Sequence, residues 1–205
     1  MVEAVYDSLA MLEASIQEMG YHTPEYFDKM MHKVPCVPSV ERTQWLITQL
    51  IGKTLLHIGC IGPLHEQLLK VCTKAYGIDR ESARYSNYVC LDIETMRMPL
   101  PKYDGVQVVL LGEVLEHLLA PGLLLKQVKM VYPEIPVIIT VPNAGSEALQ
   151  ANLRRGYESV NRDHVAWYSW KTLKTLVERC GYEIQQFYWY GGKPLFAEGL
   201  IFVVN

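Results

Sequence analysis

The stretch Lys53–Glu66, KTLLHIGCIGPLHE, decides the fold of this chain of 205 residues. Its apolar run Thr54–Ile58 predicts a strand, and the glycine-bearing segment Gly59–Pro63 predicts a tight turn. A helical pattern with apolar residues on one face follows. A strand, a glycine turn and a helix in this order let a nucleotide-like ligand approach backbone N–H groups at the helix N-terminus.

Length and composition predict a single globular domain over residues 1–205. The helix and strand patterns divide it into a helical cap over 1–52 and a core over 53–205. The net charge is -3 and no run of lysine and arginine occurs, so we expect no nucleic-acid partner. The N-terminus has no basic segment followed by an apolar one, and no apolar run is long enough to span a bilayer. We therefore expect a cytoplasmic protein without membrane association; the sequence leaves a homodimer open.

The cysteines and histidines give no sign of a disulfide framework or a metal site. The five cysteines are odd in number, scattered and without a CxxC pair, which predicts reduced thiols. The six histidines show no HxxxH or HxH spacing, so we expect no metal. The nucleophile elbow GxSxG is also absent.

Three helices are predicted before the first strand, at 3–19, 25–32 and 40–50, with Ser39 as the N-cap of the third. They form either a structural cap on the sheet or a cover for a ligand, and both roles are compatible. Three side chains in this region are weak candidates for substrate contact: Tyr21, Tyr26 and Arg42.

Strand and helix patterns alternate from Thr54 onward, which predicts a parallel sheet with right-handed crossovers. Two terminal strands joined by the turn Gly191–Pro194 should pair antiparallel. The expected fold is α/β, a Rossmann-like seven-stranded sheet that is mostly parallel, with an antiparallel C-terminal hairpin and helices on both faces. The strands are predicted at 54–58, 74–78, 88–91, 105–111, 137–141, 182–190 and 199–204, and the helices at 64–71, 121–132 and 170–180.

Polar residues follow several of the predicted strands, where ligands of open α/β sheets bind. Asp79 ends the second strand, about twenty residues beyond the glycine turn, where an acid can accept hydrogen bonds from a ribose diol. Its alternative role is to cap a following helix, and we favour the ligand role because the glycine turn is correctly placed. Asp92 either reaches an adenine amino group or is an ordinary loop carboxylate.

Five segments in order, LLHIGCIG, YGIDRE, VCLDIE, VVLLGEVLEHLLAPGLLL and VIITVPN, resemble the class I S-adenosylmethionine-dependent methyltransferases. The similarity is greater to the small-molecule branch, in which EVLEHL follows the fourth strand. DHVAWYSWKTLKTLVERCGYEI also resembles that branch, and the resemblance covers roughly Lys53–Asn205. It implies methyl transfer from S-adenosylmethionine to a small-molecule or sugar-like acceptor, at oxygen or nitrogen.

The resemblance also implies roles by position. The glycine turn would hold the methionine part of the donor, the end of the second strand its ribose, and the segment after the third strand its adenine. The segment after the fourth strand would lie near the sulfonium, where a carboxylate is electrostatically favourable. The predicted donor-binding residues are His57, Gly59, Cys60, Gly62, Asp79, Arg80, Asp92, Ile93, Gly112 and Glu113.

Three features depart from the family pattern. His57 replaces the acid that usually ends the first strand, Ile61 and Pro63 replace two glycines of the turn, and the segment after Asp79 is short. These departures leave open a non-catalytic, methyltransferase-like binding or assembly subunit. A nicotinamide oxidoreductase fits less well, because the turn is not GxGxxG.

A hydroxyl acceptor benefits from a general base, for which the candidates are Glu113, His117 and His164. Glu116 and His117 are predicted to open a helix, where either could cap it or face solvent. Three aromatic residues either line an acceptor pocket or pack the last helix on the sheet: Trp167, Tyr168 and Trp170. Asn143 either binds an acceptor or satisfies its own turn.

Overall fold

The computed structural model describes residues 31–94 and 99–205. The chain divides into two compact units, Met1–Pro35 and Cys36–Asn205, and the second holds every helix and strand of the described residues. The predicted helix at 3–19, most of that at 25–32, and the candidates Tyr21 and Tyr26 lie outside the described residues. The organisation of residues 1–205 as a single domain stays a prediction.

The described strands form one sheet in the order β1-β7-β8-β6-β5-β2-β3-β4. Only β8 runs antiparallel to its neighbours β6 and β7, so the predicted mostly parallel sheet with an antiparallel C-terminal hairpin is confirmed. Their bounds are β1 Ser39–Val40, β2 Thr54–Ile58, β3 Lys74–Asp79, β4 Tyr88–Cys90, β5 Val108–Gly112, β6 Val137–Pro142, β7 Ile184–Tyr190 and β8 Gly199–Val204.

The eighth strand, β1, is an addition to the seven predicted. Its two residues pair parallel with Trp189 and Tyr190 of β7. Ser39 therefore lies in a strand and is not the N-cap that its side chain suggested. Glu41 takes that role, because its carboxylate accepts hydrogen bonds from the backbone N–H groups of Thr43 and Gln44.

Five α-helices lie within the described residues: α1 Arg42–Leu50, α2 Pro63–Val71, α3 Pro121–Val131, α4 Glu147–Arg154 and α5 Trp170–Arg179. The helix α4 was not predicted; its N-cap Ser146 accepts a hydrogen bond from the backbone N–H of Leu149. The short segment after Asp79 forms no helix. Within the described ranges, no helix has the length and apolar character that crossing a bilayer would take.

Alternate residues of the central strands point to opposite faces of the sheet, and both faces are packed. On one face, buried leucines of α1 and α2 (Leu46, Leu50 and Leu68) pack against strand residues such as Leu55 and Leu110. The helices α3 and α5 contact each other. The hydroxyl of Tyr182, which follows α5, donates a hydrogen bond to the Leu125 carbonyl of α3.

The direction of strand progression reverses between β2 and β5, which are neighbours in the middle of the sheet. The chain runs outward from β2 to β3 and β4 on one side, and from β5 to β6 on the other. At their carboxyl ends Ile58 lies beside Leu111. Loops leaving these two strands diverge, so a crevice opens there, where ligands of open α/β sheets bind.

A pair of buried histidines lies in the core beneath this edge. Nδ1 of His57 on β2 lies 3.1 Å from Nδ1 of His65 on α2, and both side chains are buried. Such a bond needs one ring as donor and the other as acceptor, so the accepting nitrogen carries no proton. Burial, with the nearby charges of His65 and Arg42, lowers the pKa of His57 to about 3.

Replacing Leu110, which is fully buried in β5, by alanine should lower the free energy of unfolding by about 3 kcal/mol. The loss combines lost apolar burial with the cavity left in a packed core. Urea unfolding followed by circular dichroism measures it. Leu119→Ala is the matched control, since that side chain is 78% exposed and its loss should cost below about 0.5 kcal/mol. Equal costs for the two variants would contradict the described core.

The His57 pair should make the protein less stable as the pH falls. The unfolded chain has the ordinary histidine pKa of 6.5 and the folded chain about 3, so between these values the unfolded state binds more protons. We expect His57 to account for roughly 1.5 kcal/mol of stability lost between pH 6.5 and pH 5.

The measurement compares urea unfolding of the parent protein, of His57→Leu and of the exposed-residue control His32→Leu across that pH range. His57→Leu should show a flatter pH dependence, whereas His32→Leu should follow the parent. Identical slopes for all three proteins would show that His57 titrates as it does in the unfolded chain.

Candidate functional site

A cavity of about 300 Å³ lies at the carboxyl ends of β2, β3 and β5. Its walls come from the glycine turn, the end of β3, the segment after β4 and the segment after β5. The sequence-predicted residues that line it are Gly59, Asp79, Arg80, Asp92, Ile93, Glu113 and His117. The structure thus brings most of the predicted donor-binding set together around one space.

The glycine turn forms one wall of this cavity. Gly59 has φ 72°, and a Cβ there would collide with the side chain of Val114. Glycine is therefore required both for the left-handed backbone and for the close approach of the segment after β5. Asp79 Oδ2 accepts a hydrogen bond from the Ile61 backbone N–H at 3.0 Å.

Asp79 orders the turn without exhausting its acceptor capacity. Its Oδ1 accepts a bond from the Glu81 backbone N–H at 3.2 Å, and no helix follows it to be capped. Each carboxylate oxygen has two lone pairs, so both oxygens can still accept from a ligand at the cavity. The Asp92 Oδ1 accepts from the Glu94 backbone N–H at 3.0 Å and fixes the opposite wall.

Four of the predicted donor-binding residues do not line this cavity: His57, Cys60, Gly62 and Gly112. The thiol of Cys60 is buried, and burial followed by the charge of Asp79 raises its pKa to about 12. Gly62 is the N-cap of α2, and Gly112 ends β5 above the His57 ring. Contact of these four residues with a donor stays a prediction. The surroundings of His57 favour that contact least, because its ring pairs with His65.

Glu113 follows β5 in the left-handed region, with φ 58°, which non-glycine residues rarely adopt. Its Oε1 accepts hydrogen bonds from the hydroxyls of Thr140 at 2.7 Å and Tyr190 at 2.9 Å. The same oxygen lies 3.1 Å from Nη1 of Arg42. Burial, followed by the Glu113 charge, raises the pKa of Tyr190, so its hydroxyl stays protonated and donates.

A second cavity has a volume of about 650 Å³ and shares the Glu113 wall with the first. Arg42, Tyr190, Pro142 and Glu198 line it, and Glu113 lines both cavities. Sequence reasoning named Arg42 only as a weak candidate and missed Thr140 and Tyr190. No local signal marks that pair, because their bonds to Glu113 span 27 and 77 residues of chain.

A cluster of three side chains lies beside the first cavity: Glu116, His117 and His164. Glu116 belongs to a single 3-10 turn, Leu115–His117, and not to the start of a helix as predicted. Its side chain is 1% exposed, and neither carboxylate oxygen has a hydrogen-bond partner among the described groups. Burial, followed by the charge of Glu113, raises the pKa of Glu116 to about 8.

The segment before α5 brings His164 to this turn. The backbone N–H groups of Val165 and Ala166 donate to the Glu116 carbonyl, and the rings of His117 and His164 meet edge-on with centroids 4.6 Å apart. One ligand atom from each side chain of the cluster lies within 4.8 Å of the other two. A carboxylate and two imidazoles are donors suited to a transition-metal ion, which the spacing of histidines along the chain did not indicate.

The other polar and aromatic candidates have structural partners. Asn143 is buried; its amide donates to the carbonyls of Leu195 and Ala197 and its oxygen accepts from Gly145, which favours the turn-satisfying alternative. Tyr168 is buried and donates to the Leu115 carbonyl. Trp170 packs on Phe187, and Trp167 is 37% exposed.

No family model and no curated protein matches the chain. Solved structures do match it. The small RNA methyltransferase HEN1 has a TM-score of 0.62 at 16% identity, over 85% of this chain and 27% of that one. The chain therefore spans about a quarter of the HEN1 chain.

Two other neighbours are closer in length. A SAM-dependent methyltransferase from Archaeoglobus fulgidus has a TM-score of 0.59 at 18% identity, over 80% of this chain and 90% of that one. The 4+2 cyclase SpnF has a TM-score of 0.58 at 13% identity, over 80% of this chain and 79% of that one. These identities are low, so the likeness concerns the fold. By its strand order, its antiparallel β8 and these neighbours, the chain has the class I S-adenosylmethionine-dependent methyltransferase fold.

Proposed function

We propose that this protein transfers a methyl group from S-adenosylmethionine to an oxygen or nitrogen atom of a small-molecule or sugar-like acceptor. One observation carries the proposal: Glu113 lines both the cavity at the glycine turn and the second cavity beside Arg42. A donor in the first cavity and an acceptor in the second would meet at this side chain.

The first cavity has the features that the donor requires. The Gly59 turn offers backbone groups to the methionine part, Asp79 can accept from the ribose hydroxyls, and Asp92 with Ile93 borders the space left for adenine. Its volume is at the lower end of the range for small-molecule pockets. The SAM dependence named for the Archaeoglobus fulgidus neighbour supports this assignment.

The Glu113 carboxylate would favour the donor's positive charge. A sulfonium is a permanent cation, and a carboxylate a few ångströms away stabilises it. Three donors hold the carboxylate in place, so it needs no reorganisation when the donor binds. A cation and a protonated phenol, from Arg42 and Tyr190, face the second cavity and can bind oxygen atoms of an acceptor.

Transfer would be an in-line displacement governed by alignment. A lone pair on the acceptor attacks the methyl carbon, the carbon–sulfur bond breaks, and the sulfonium becomes a neutral thioether. The acceptor's proton must then go to a base. His117 donates Nδ1–H to the Asp163 carbonyl, which leaves the Nε2 lone pair free to take a proton. Burial, followed by the charge of the nearby His117, lowers the pKa of His164, which favours its neutral ring.

A non-catalytic binding or assembly subunit is the second candidate. The observation that favours it is His57, which is buried against His65 where the resemblance implies an acid facing the donor. Donor binding is common to both candidates, and methyl transfer separates them.

Asp79→Ala should weaken binding of S-adenosylhomocysteine, the demethylated donor, by at least tenfold, because it removes the acceptor for the ribose and loosens the turn at Ile61. Calorimetric titration measures the affinity, and ligand-induced thermal stabilisation checks it. Asp104→Ala, at an exposed carboxylate, is the control and should bind as the parent does. Unchanged affinity in Asp79→Ala would remove Asp79 from the site, and no binding by the folded parent at millimolar ligand would refute the function.

Labelled donor should pass its methyl group to acceptors in a small-molecule extract, and Glu113→Gln should slow this at least tenfold because a charge-assisted interaction is lost. Scintillation counting of separated small-molecule and RNA fractions measures transfer. The control Glu134→Gln changes an exposed glutamate and should keep the parent rate. Label found only in RNA would contradict the acceptor class, and bound donor without any transfer would favour the non-catalytic subunit.

A further inference from the structure

Glu116 is a buried carboxylate that the donor site does not use. Its two oxygens have no hydrogen-bond partner among the described groups, although the side chain is only 1% exposed. Burying an unpaired carboxyl is costly unless a cation or a donor satisfies it. The imidazoles of His117 and His164 are suitable groups, and one nitrogen of each lies within 4.8 Å of a Glu116 oxygen.

The ring of His117 is already oriented as a ligand. Its Nδ1 lies 3.2 Å from the Asp163 carbonyl oxygen, which can only accept, so Nδ1 carries the proton and Nε2 offers its lone pair. An outer hydrogen bond from a ligating histidine to a backbone carbonyl is the usual arrangement at metal sites, because it fixes the tautomer and the ring plane. Asp163 precedes His164 directly, so one short segment supplies both the outer partner and a ligand.

We propose that Glu116, His117 and His164 bind a divalent transition-metal ion at the edge of the donor cavity. Ligand atoms around such an ion lie about 3.0–3.4 Å apart for bonds near 2.1 Å, so the present spacing of up to 4.8 Å needs a small side-chain closure. His164 lies on an irregular segment before α5, which can follow that closure.

Two imidazoles and one carboxylate favour Co²⁺, Mn²⁺, Fe²⁺ or Zn²⁺ over Mg²⁺, which prefers an all-oxygen shell. Three protein ligands also leave coordination positions open, as catalytic metal sites do. His117 lines the donor cavity together with Glu113, so an open position there would face the methyl-transfer region.

The ion would favour oxygen as the acceptor atom of the methyl group. This step rests on the proposed function. An acceptor hydroxyl would bind at the open coordination position of the ion, which would lower the pKa of that hydroxyl. The proton would then leave to water as the oxygen attacks the methyl carbon. As ligands, His117 and His164 would then position the ion and would not take the proton themselves. The acceptor class becomes a hydroxyl compound, with attack at oxygen.

Metal binding is tested first, without any acceptor. Chelator-treated protein titrated with Co²⁺ should develop visible absorption that saturates at one ion per chain, and calorimetry should show Mg²⁺ binding at least tenfold more weakly. Glu116→Gln and His164→Asn should each weaken Co²⁺ binding about tenfold or more. Two controls, Glu134→Gln and His32→Asn, change exposed residues and should bind Co²⁺ as the parent does.

Circular dichroism and S-adenosylhomocysteine affinity establish that each variant is folded. Saturation well below one ion per chain, or equal Co²⁺ affinity in the variants and the parent, would overturn the site. The catalytic role has its own readout: chelation should abolish transfer to a hydroxyl acceptor, and Mn²⁺ or Co²⁺ should restore it. Transfer unchanged in chelator would overturn that role, whereas Co²⁺ binding without transfer would keep the metal site and count against the proposed function alone.

Discussion

The hydrogen-bonded Glu113 carboxylate ties together the elements that surround both cavities. It follows β5, and its Oε1 accepts from Thr140 of β6 and Tyr190 of β7 while facing Arg42 at the start of α1. The left-handed backbone at Glu113 is costly for a non-glycine residue and persists when its surroundings over-determine it. Three partners from three elements supply that determination, so the carboxylate holds one position between the two cavities.

Two carboxyl groups near one another cannot both stay charged cheaply in a buried place, and the structure gives them different environments. Arg42 and two hydroxyls satisfy Glu113. Glu116 is buried with no hydrogen-bond partner in the part of the chain that the structure describes, and burial followed by the Glu113 charge raises its pKa to about 8. The Glu113 carboxylate, paired with Arg42, is suited to a sulfonium. The Glu116 carboxyl either keeps its proton or ionises beside a cation. The proposed metal ion would be that cation, and it would lie next to the donor site because Glu116 is three residues from Glu113.

Much of the sheet could be predicted from the sequence because buried strands are apolar runs. The parallel strand β2 and the antiparallel strand β8 are examples, and their bounds match the prediction. The strand-end rule likewise placed Asp79 at the cavity. Features built from distant pairs could not be predicted, since β1 exists only through pairing with β7, and Tyr190 reaches Glu113 across the sheet. The proximity of His164 to Glu116 could not be predicted for the same reason, because the spacing of histidines along a chain indicates only local geometry.

His57 shows how a departure from a family pattern can be absorbed by the structure. An acid in its place would meet the donor directly; the histidine is instead buried against His65, and the two neutral rings fill the space beneath Gly112. The turn above keeps its order by other means, since Asp79 holds the Ile61 N–H and Val114 packs on Gly59. Because this order does not depend on residue 57, the altered strand end and a formed donor cavity are compatible, and the proposed chemistry depends on Glu113 and its neighbours.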